Sequence, residues 1–238
     1  METPPRAAPG FDLPRYLSLQ PLFQEMTRDE LARLAEGCTL QRLVRGDDIF
    51  RVGQPCEAFH VVITGQVKLF GISPAGQEKV IEIVSPGQSF AEALMFTDRP
   101  YIVNAQALEE TLGLSVGKPA VLAEVERDPR FALRMLAGIS RRLHGLVHDV
   151  QAYALQNGMQ RVIGYLQRDQ VAQDEATGEE AITVSLPVSK ATIASRLSLT
   201  PEYFSRVLHE LEGAGLITID KRDIHILDPL RLSHYQSP

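Results

Sequence analysis

The chain has 238 residues, of which 44% are hydrophobic and 23% charged, with a formal net charge of −6. That is long enough for two modest domains with separate cores, and the balance is ordinary for a soluble globular protein. The longest apolar runs, such as Phe59–Ile63, fall far short of the roughly 20 residues a membrane-spanning helix needs, so no membrane is expected as partner. Met1–Gly10 carries Pro4, Pro5 and Pro9 without an apolar h-region, which predicts a frayed tail and not a signal peptide. Two cysteines, Cys38 and Cys56, make no disulfide framework, so a cytoplasmic location is expected. The negative charge weighs against nucleic acid as a partner. Residues 158–238 hold 8 Lys and Arg against 11 Asp and Glu, and any DNA contact must rest on a locally basic face.

In chain order, the first helix signal is Thr27-Arg-Asp-Glu30, a capping box followed by Leu31, Leu34 and Ala35 at helical spacing, with Gly37 as the stop. From about Leu40 to Val116 short runs rich in Val, Ile and Phe alternate with glycine turns. The runs are Asp48–Val52, Phe59–Thr64, Val67–Gly71, Val80–Val84, Ile102–Ala107 and Leu112–Val116. Strands of about five residues with a turn roughly every ten predict an antiparallel barrel or sandwich.

After Asp128-Pro129 the period changes. Leu136, Ile139, Leu143, Leu146, Val150 and Tyr153 repeat at alternating steps of three and four, a coiled-coil seam on a helix from about 130 to 156. A seam this regular predicts a partner helix and hence a parallel homodimer; packing against the chain's own β domain is the alternative. Asn157-Gly158 breaks the helix and reads as a hinge. Gln160–Val171 is amphipathic, and Asp174–Glu180 reads as a solvated acidic loop.

Residues 187–227 carry the densest motif. Ser189 caps a short helix with Ile193, Ala194 and Leu197 inward, and Ser198-Leu199 turns the chain. Thr200 then caps a second helix with Pro201 at its first position, where a missing N–H costs nothing. Phe204, Val207, Leu208 and Leu211 form its buried stripe; Glu202, Ser205, Arg206 and His209 fall on the opposite face. Gly213-Ala-Gly215 ends it, and Leu216–Ile219 with Ile224–Leu227 make a wing hairpin around a charged turn. An outer face of Arg, Glu and Ser suits the major groove of double-stranded DNA. Arg forks to guanine O6 and N7, Glu accepts from cytosine N4, and Ser reaches a base or phosphate. Thr200, Ser189 and Lys190 complete the candidate DNA-binding set. An i,i+4 surface ion pair between Glu202 and Arg206 is the competing reading.

Along nearly its whole length the chain resembles the CRP/FNR superfamily: β-roll, long dimer helix, hinge and winged helix-turn-helix. The resemblance implies that superfamily's docking geometry, with the second helix of the motif lying in the major groove. Glu202-Tyr-Phe-Ser-Arg206 matches the Glu-x-x-Ser-Arg box of the FNR branch, and the resemblance implies a palindromic operator, TTGAT–N4–ATCAA. RNA polymerase as a further partner is implied by the family alone. The expected class is α+β, divided into a flexible tail (1–20), a cyclic-nucleotide-binding-like β-roll as sensor (21–128), a dimerisation helix (129–156) and the winged helix-turn-helix (157–238).

The family's cyclic AMP cassette pairs a Glu with Arg-Ser. Phe90-Ala-Glu-Ala93 keeps Glu92, but Ile102 and Val103 stand where Arg-Ser would be, and Leu146-Val147 replace the polar pair that meets adenine. An uncompensated phosphate there is costly, so cyclic AMP is not expected. Two cysteines cannot ligate an iron–sulfur cluster that needs four. Pro74–Ile83 and Phe90–Phe96 are similar to the Dnr-type regulators of denitrification, which implies nitric oxide sensed through haem in an apolar pocket of Leu94, Met95, Ile102, Leu146 and Val147. His60, His144, His148 and Cys56 are the candidate axial ligands, and the residues leave the choice open; another small ligand remains the alternative effector. No nucleophile elbow, phosphate loop or HExxH supports an enzyme. A sensor or interaction protein without specific DNA binding would leave the winged motif without a task.

Overall fold

The structure, a computed structural model, describes residues 12–20, 23, 26–97, 99–171, 182–186 and 189–235. The acidic loop 174–180 and most of the expected tail lie outside them. The chain divides into two compact units, Met1–Gly145 and Leu146–Pro238.

The first unit opens on α1 (Leu13–Ser18) and α2 (Arg28–Glu36). Over residues 12–20 the expected flexible tail is corrected: Leu13 and Leu17 are buried, and Asp12 caps α1 by accepting from the Arg15 N–H. The capping box of α2 forms as its sequence requires, with Thr27 Oγ1 accepting from Glu30 N and Glu30 Oε2 accepting from Thr27 N.

Eight strands follow: β1 (Cys38–Leu43), β2 (Asp48–Phe50), β3 (Ala58–Thr64), β4 (Val67–Ile72), β5 (Glu78–Val84), β6 (Ser89–Phe90), β7 (Asn104–Ala107) and β8 (Thr111–Gly117). They form two antiparallel sheets, β1-β8-β3-β6 and β2-β7-β4-β5. Turn chemistry sets the register between strands. At Gly65, between β3 and β4, φ is +78° and a Cβ would lie 2.4 Å from the Glu110 carbonyl, so only glycine fits.

Both sheets send Leu40, Phe50, Phe59, Val61, Leu69, Phe90 and Leu114 into one core. Strand β3 is buried along Phe59–Val62, and the Tyr16 hydroxyl of α1 donates to the Val62 carbonyl at 3.3 Å. Helix α3 (Lys118–Arg127) leads into α4 (Pro129–Leu155). The start of α4 enters the same core through Phe131 and Met135.

The second unit contains α5 (Gly158–Val171), β9 (Ile182–Ser185), α6 (Lys190–Arg196), α7 (Pro201–Gly213), β10 (Ile217–Asp220), β11 (Asp223–Ile226) and α8 (Pro229–Ser233). The break expected at Asn157-Gly158 is an N-cap. Asn157 Oδ1 accepts from Gln160 N at 2.9 Å, and Gln160 Oε1 accepts from Asn157 N at 3.1 Å. The wing is a three-stranded antiparallel sheet in the order β10-β11-β9, one strand larger than the expected hairpin. Val162, Leu166, Val184, Ile193, Phe204, Leu208, Leu211 and Ile224 are buried here, each contributing about 1.5–3 kcal/mol relative to an exposed side chain.

Candidate nucleic-acid interface

Two caps hold the helix pair in place. Ser189 Oγ accepts from Thr192 N at 3.2 Å at the start of α6, and Thr200 Oγ1 accepts from Tyr203 N at 3.2 Å at the start of α7. Two of the three hydroxyls in the expected DNA set, Ser189 and Thr200, are thus already engaged in fixing their helices. Between the helices Ser198 takes a left-handed conformation (φ 56°), and Leu199 N donates to the Ala194 carbonyl at 2.8 Å, closing the turn. Arg161 of α5 reinforces it by donating to the Leu197 carbonyl at 2.7 Å.

Helix α7 then presents two opposite faces. Phe204, Val207, Leu208 and Leu211 are all buried, as the helical spacing predicts. Glu202, Arg206 and His209 are exposed, Ser205 is half-buried, and Lys190 sits half-buried at the first position of α6. The His209 ring donates from Nδ1 to the Ser205 carbonyl at 2.7 Å, which leaves Nε2 outward. No ion pair joins Glu202 to Arg206 among the described residues. The Arg206 guanidinium lies instead over the Tyr203 ring, 4.7 Å from its centroid.

The sequence reading missed two features of this surface. One is Tyr203, whose spacing marks it as neither inward nor outward. The other is the wing tip, where Lys221 (φ 54°) and Arg222 are exposed between β10 and β11. The wing is fastened to α7 through Glu212 Oε1, which accepts from Ile219 N at 3.1 Å.

The expected dimer seam lies on α4 with its apolar side chains uncovered in the single chain. Leu136 is 57% exposed, Leu143 58% and Val150 64%; Leu146 is exposed too, and Ile139 half-buried. The side chain of Tyr153 lies outside the described ones. Four exposed seam residues on one helix are more than scattered surface side chains, and they match the heptad spacing.

The expected effector residues are divided between the two units. Glu92, Leu94, Met95, Ile102 and Val103 belong to the first unit, and Leu146 and Val147 to the second. Glu92 is buried on the 3₁₀ turn Glu92–Phe96 and accepts a short hydrogen bond from Ser89 Oγ; Met95 is fully buried. Ala91 takes the left-handed conformation that begins this turn (φ 69°). Ile102 is 68% exposed, and Val103 half-buried.

Haem does not fit the roll at His60. Tyr101 donates its hydroxyl hydrogen to the Ala58 carbonyl at 2.8 Å, so His60 Nε2–H donates to the Tyr101 oxygen at 3.3 Å, and Nδ1 accepts from Ser115 Oγ at 2.9 Å. Neither ring nitrogen is free for a metal. Phe50 and Phe90 pack on the ring at centroid distances of 5.4 and 5.2 Å, and the cavity beside it measures about 10 Å³, room for at most one water. Burial holds His60 neutral, with its pKa pushed down to about 4. Cys56 is buried, its thiol pushed up by desolvation and pointed at the Ala58 carbonyl. His144 is exposed on α4, and the side chain of His148 lies outside the described ones. The described residues hold no cluster of three metal-ligating side chains and no helix long and apolar enough to cross a membrane.

Residues 40–128 match the cyclic nucleotide-binding domain family and residues 160–235 the Crp-like helix-turn-helix domain. A CRP-like cAMP-activated global transcriptional regulator of Mycobacterium tuberculosis is 24% identical, over 89% of this chain and 94% of its own length. Among solved structures, FixK2 from Bradyrhizobium japonicum superposes with a TM-score of 0.73 at 21% identity, covering 84% of this chain and 98% of that one. DNR from Pseudomonas aeruginosa is 36% identical over 93% of this chain and 96% of its own, with a TM-score of 0.50. With a β-roll, a seam-bearing helix and a winged helix-turn-helix in that order, the chain belongs to the CRP/FNR family of transcription regulators.

Proposed function

We propose that the protein regulates transcription by binding, as a homodimer, a palindrome of the form TTGAT–N4–ATCAA. Helix α7 enters the major groove, where Arg206 forks to a guanine, Glu202 accepts from a cytosine and Ser205 contacts a base or phosphate. Thr200, Ser189, Lys190 and His209 border that contact. The observation that carries this reading is the division of α7 into a fully buried stripe and an outer face of Glu202, Ser205 and Arg206. The seam on α4 supplies the two-fold axis, which sets two recognition helices roughly 34 Å apart on successive grooves. RNA polymerase is the further partner of such a regulator.

The β-roll is the sensor in this proposal, and its effector is a small ligand. Nitric oxide held on haem has no ligand set among the roll's described residues and carries no step. A gel shift tests the reading with a labelled TTGAT–N4–ATCAA duplex against a scrambled one. Arg206→Ala is expected to weaken the operator complex by about 1–3 kcal/mol and to relax preference at one base pair. Equal binding of both duplexes by the full-length protein sinks the proposal.

A further inference from the structure

The ring of Tyr203 is shared by two neighbours that the sequence holds far apart. On one side is Gly158, the first residue of α5, immediately after the α4–α5 break. A Cβ built on Gly158 would lie 2.5 Å from Tyr203 Cε1 and 2.9 Å from both Cζ and Oη. Contacts that short do not occur, so any side chain added at Gly158 would push the Tyr203 ring aside. The other neighbour is Arg206, three residues along α7, whose guanidinium lies over the same ring at 4.7 Å. An exposed arginine guanidinium at the end of a long flexible side chain is ordinarily spread over many rotamers; a ring beneath it restricts that spread.

We propose that Tyr203 is a positioning residue, whose ring sets the direction of the Arg206 guanidinium and ties it to the backbone at the α4–α5 break. The inference rests on the assignment of Arg206 to a base. A displacement of the α5 start against α7 moves the ring, because there is no side chain at Gly158 to absorb it. The ring in turn moves the arginine. The break between the dimer helix and the DNA-reading unit thereby bears on one recognition contact through one side chain.

The test uses the full-length protein and fluorescence anisotropy on two duplexes, the operator and the same palindrome with TTAAT half-sites in place of TTGAT. Tyr203→Leu is expected to lower the preference for the operator by about 3- to 30-fold, the range of a guanidinium–ring contact. Tyr203→Phe keeps the ring and keeps the preference. In an Arg206→Ala background, Tyr203→Leu adds nothing further, since the residue it positions is gone. Gly158→Ala lowers the preference when Tyr203 is present and has no further effect beside Tyr203→Leu. Thermal unfolding within a few degrees of wild type confirms that each variant is folded. The proposal is overturned if Tyr203→Leu weakens both duplexes equally, or if its effect adds in full to that of Arg206→Ala. If Arg206→Ala itself leaves the preference intact, the base assignment of Arg206 fails and takes this inference with it. A sensitive Arg206 beside an insensitive Tyr203 sinks the inference alone.

Discussion

Replacing His60 with glutamine is expected to flatten part of the protein's acid sensitivity, and the size of the effect follows from the surroundings of the ring. His60 is buried among Phe50, Phe90 and Tyr101, accepts at Nδ1 and donates at Nε2, and has no carboxylate beside it among its contacts. Desolvation therefore disfavours the imidazolium and takes the pKa from 6.5 down to about 4. A folded-state pKa below the unfolded one means that the unfolded chain takes up the proton first. The stability contributed by neutral His60 is complete above pH 6.5, falls as the pH drops toward 4, and falls no further below that. Between pH 7.5 and 5.0 the linkage amounts to about 2 kcal/mol with these two pKa values. Urea unfolding followed by far-UV circular dichroism at pH 7.5, 6.5, 5.5 and 5.0 measures it. His60→Gln loses the titration but keeps a hydrogen-bonding side chain, so the wild-type chain is expected to lose about 2 kcal/mol more than the variant over that window. Parallel pH dependences for the two proteins would refute the burial argument.

The wing and the seam give further checks. Lys221→Ala is expected to weaken binding by a similar factor on every duplex and to reduce the slope of log affinity against log salt by about 1, as for loss of a phosphate contact. A change in base preference instead would move Lys221 into the reading set. Leu143→Asp places a charge in the uncovered seam and is expected to turn the dimer into a monomer by analytical ultracentrifugation; an unchanged sedimentation coefficient would remove the seam from the interface. If haem is supplied to the purified protein, any Soret band is expected to be the same in wild type and His60→Gln, and a band lost only in the variant would restore His60 as a ligand.

The DNA-reading unit was the most legible part of the sequence because its signals are local. Ser189 and Thr200 announce helix starts, Pro201 fits a first turn, and a period of 3.6 separates Phe204, Val207, Leu208 and Leu211 from Glu202 and Arg206. The β-roll strands were legible from glycine turns, yet β1 was not, since its Cys-Thr-Leu-Gln-Arg-Leu run buries only Leu40 fully and shows no clear alternation. Helix α1 escaped notice because six residues following a proline-rich stretch carry only two buried positions, Leu13 and Leu17. Helix α3 was hidden for a different reason. Its buried face includes Glu124, which reads as a solvated residue until Arg33 of α2 forks onto it at 2.9 and 3.1 Å, 91 residues away in the chain.

The same logic applies at the candidate interface. Arg206 was found by its place on the helix face, whereas Tyr203 was not, because its significance lies in a glycine 45 positions earlier that no local pattern connects to it. His60 was one of several candidate ligands, by residue type and its place on a strand; the partners that occupy it, Ser115 and Tyr101, come from other segments of the roll.

The most direct measurement of the central claim is selection of the full-length protein on a pool of random-sequence duplexes, followed by sequencing of the bound fraction. Enrichment of a palindrome with TTGAT half-sites separated by four base pairs is expected, with loss of the guanine preference when the selection is repeated with Arg206→Ala. A bound pool indistinguishable from the input, or a palindrome unaffected by Arg206→Ala, would contradict the claim.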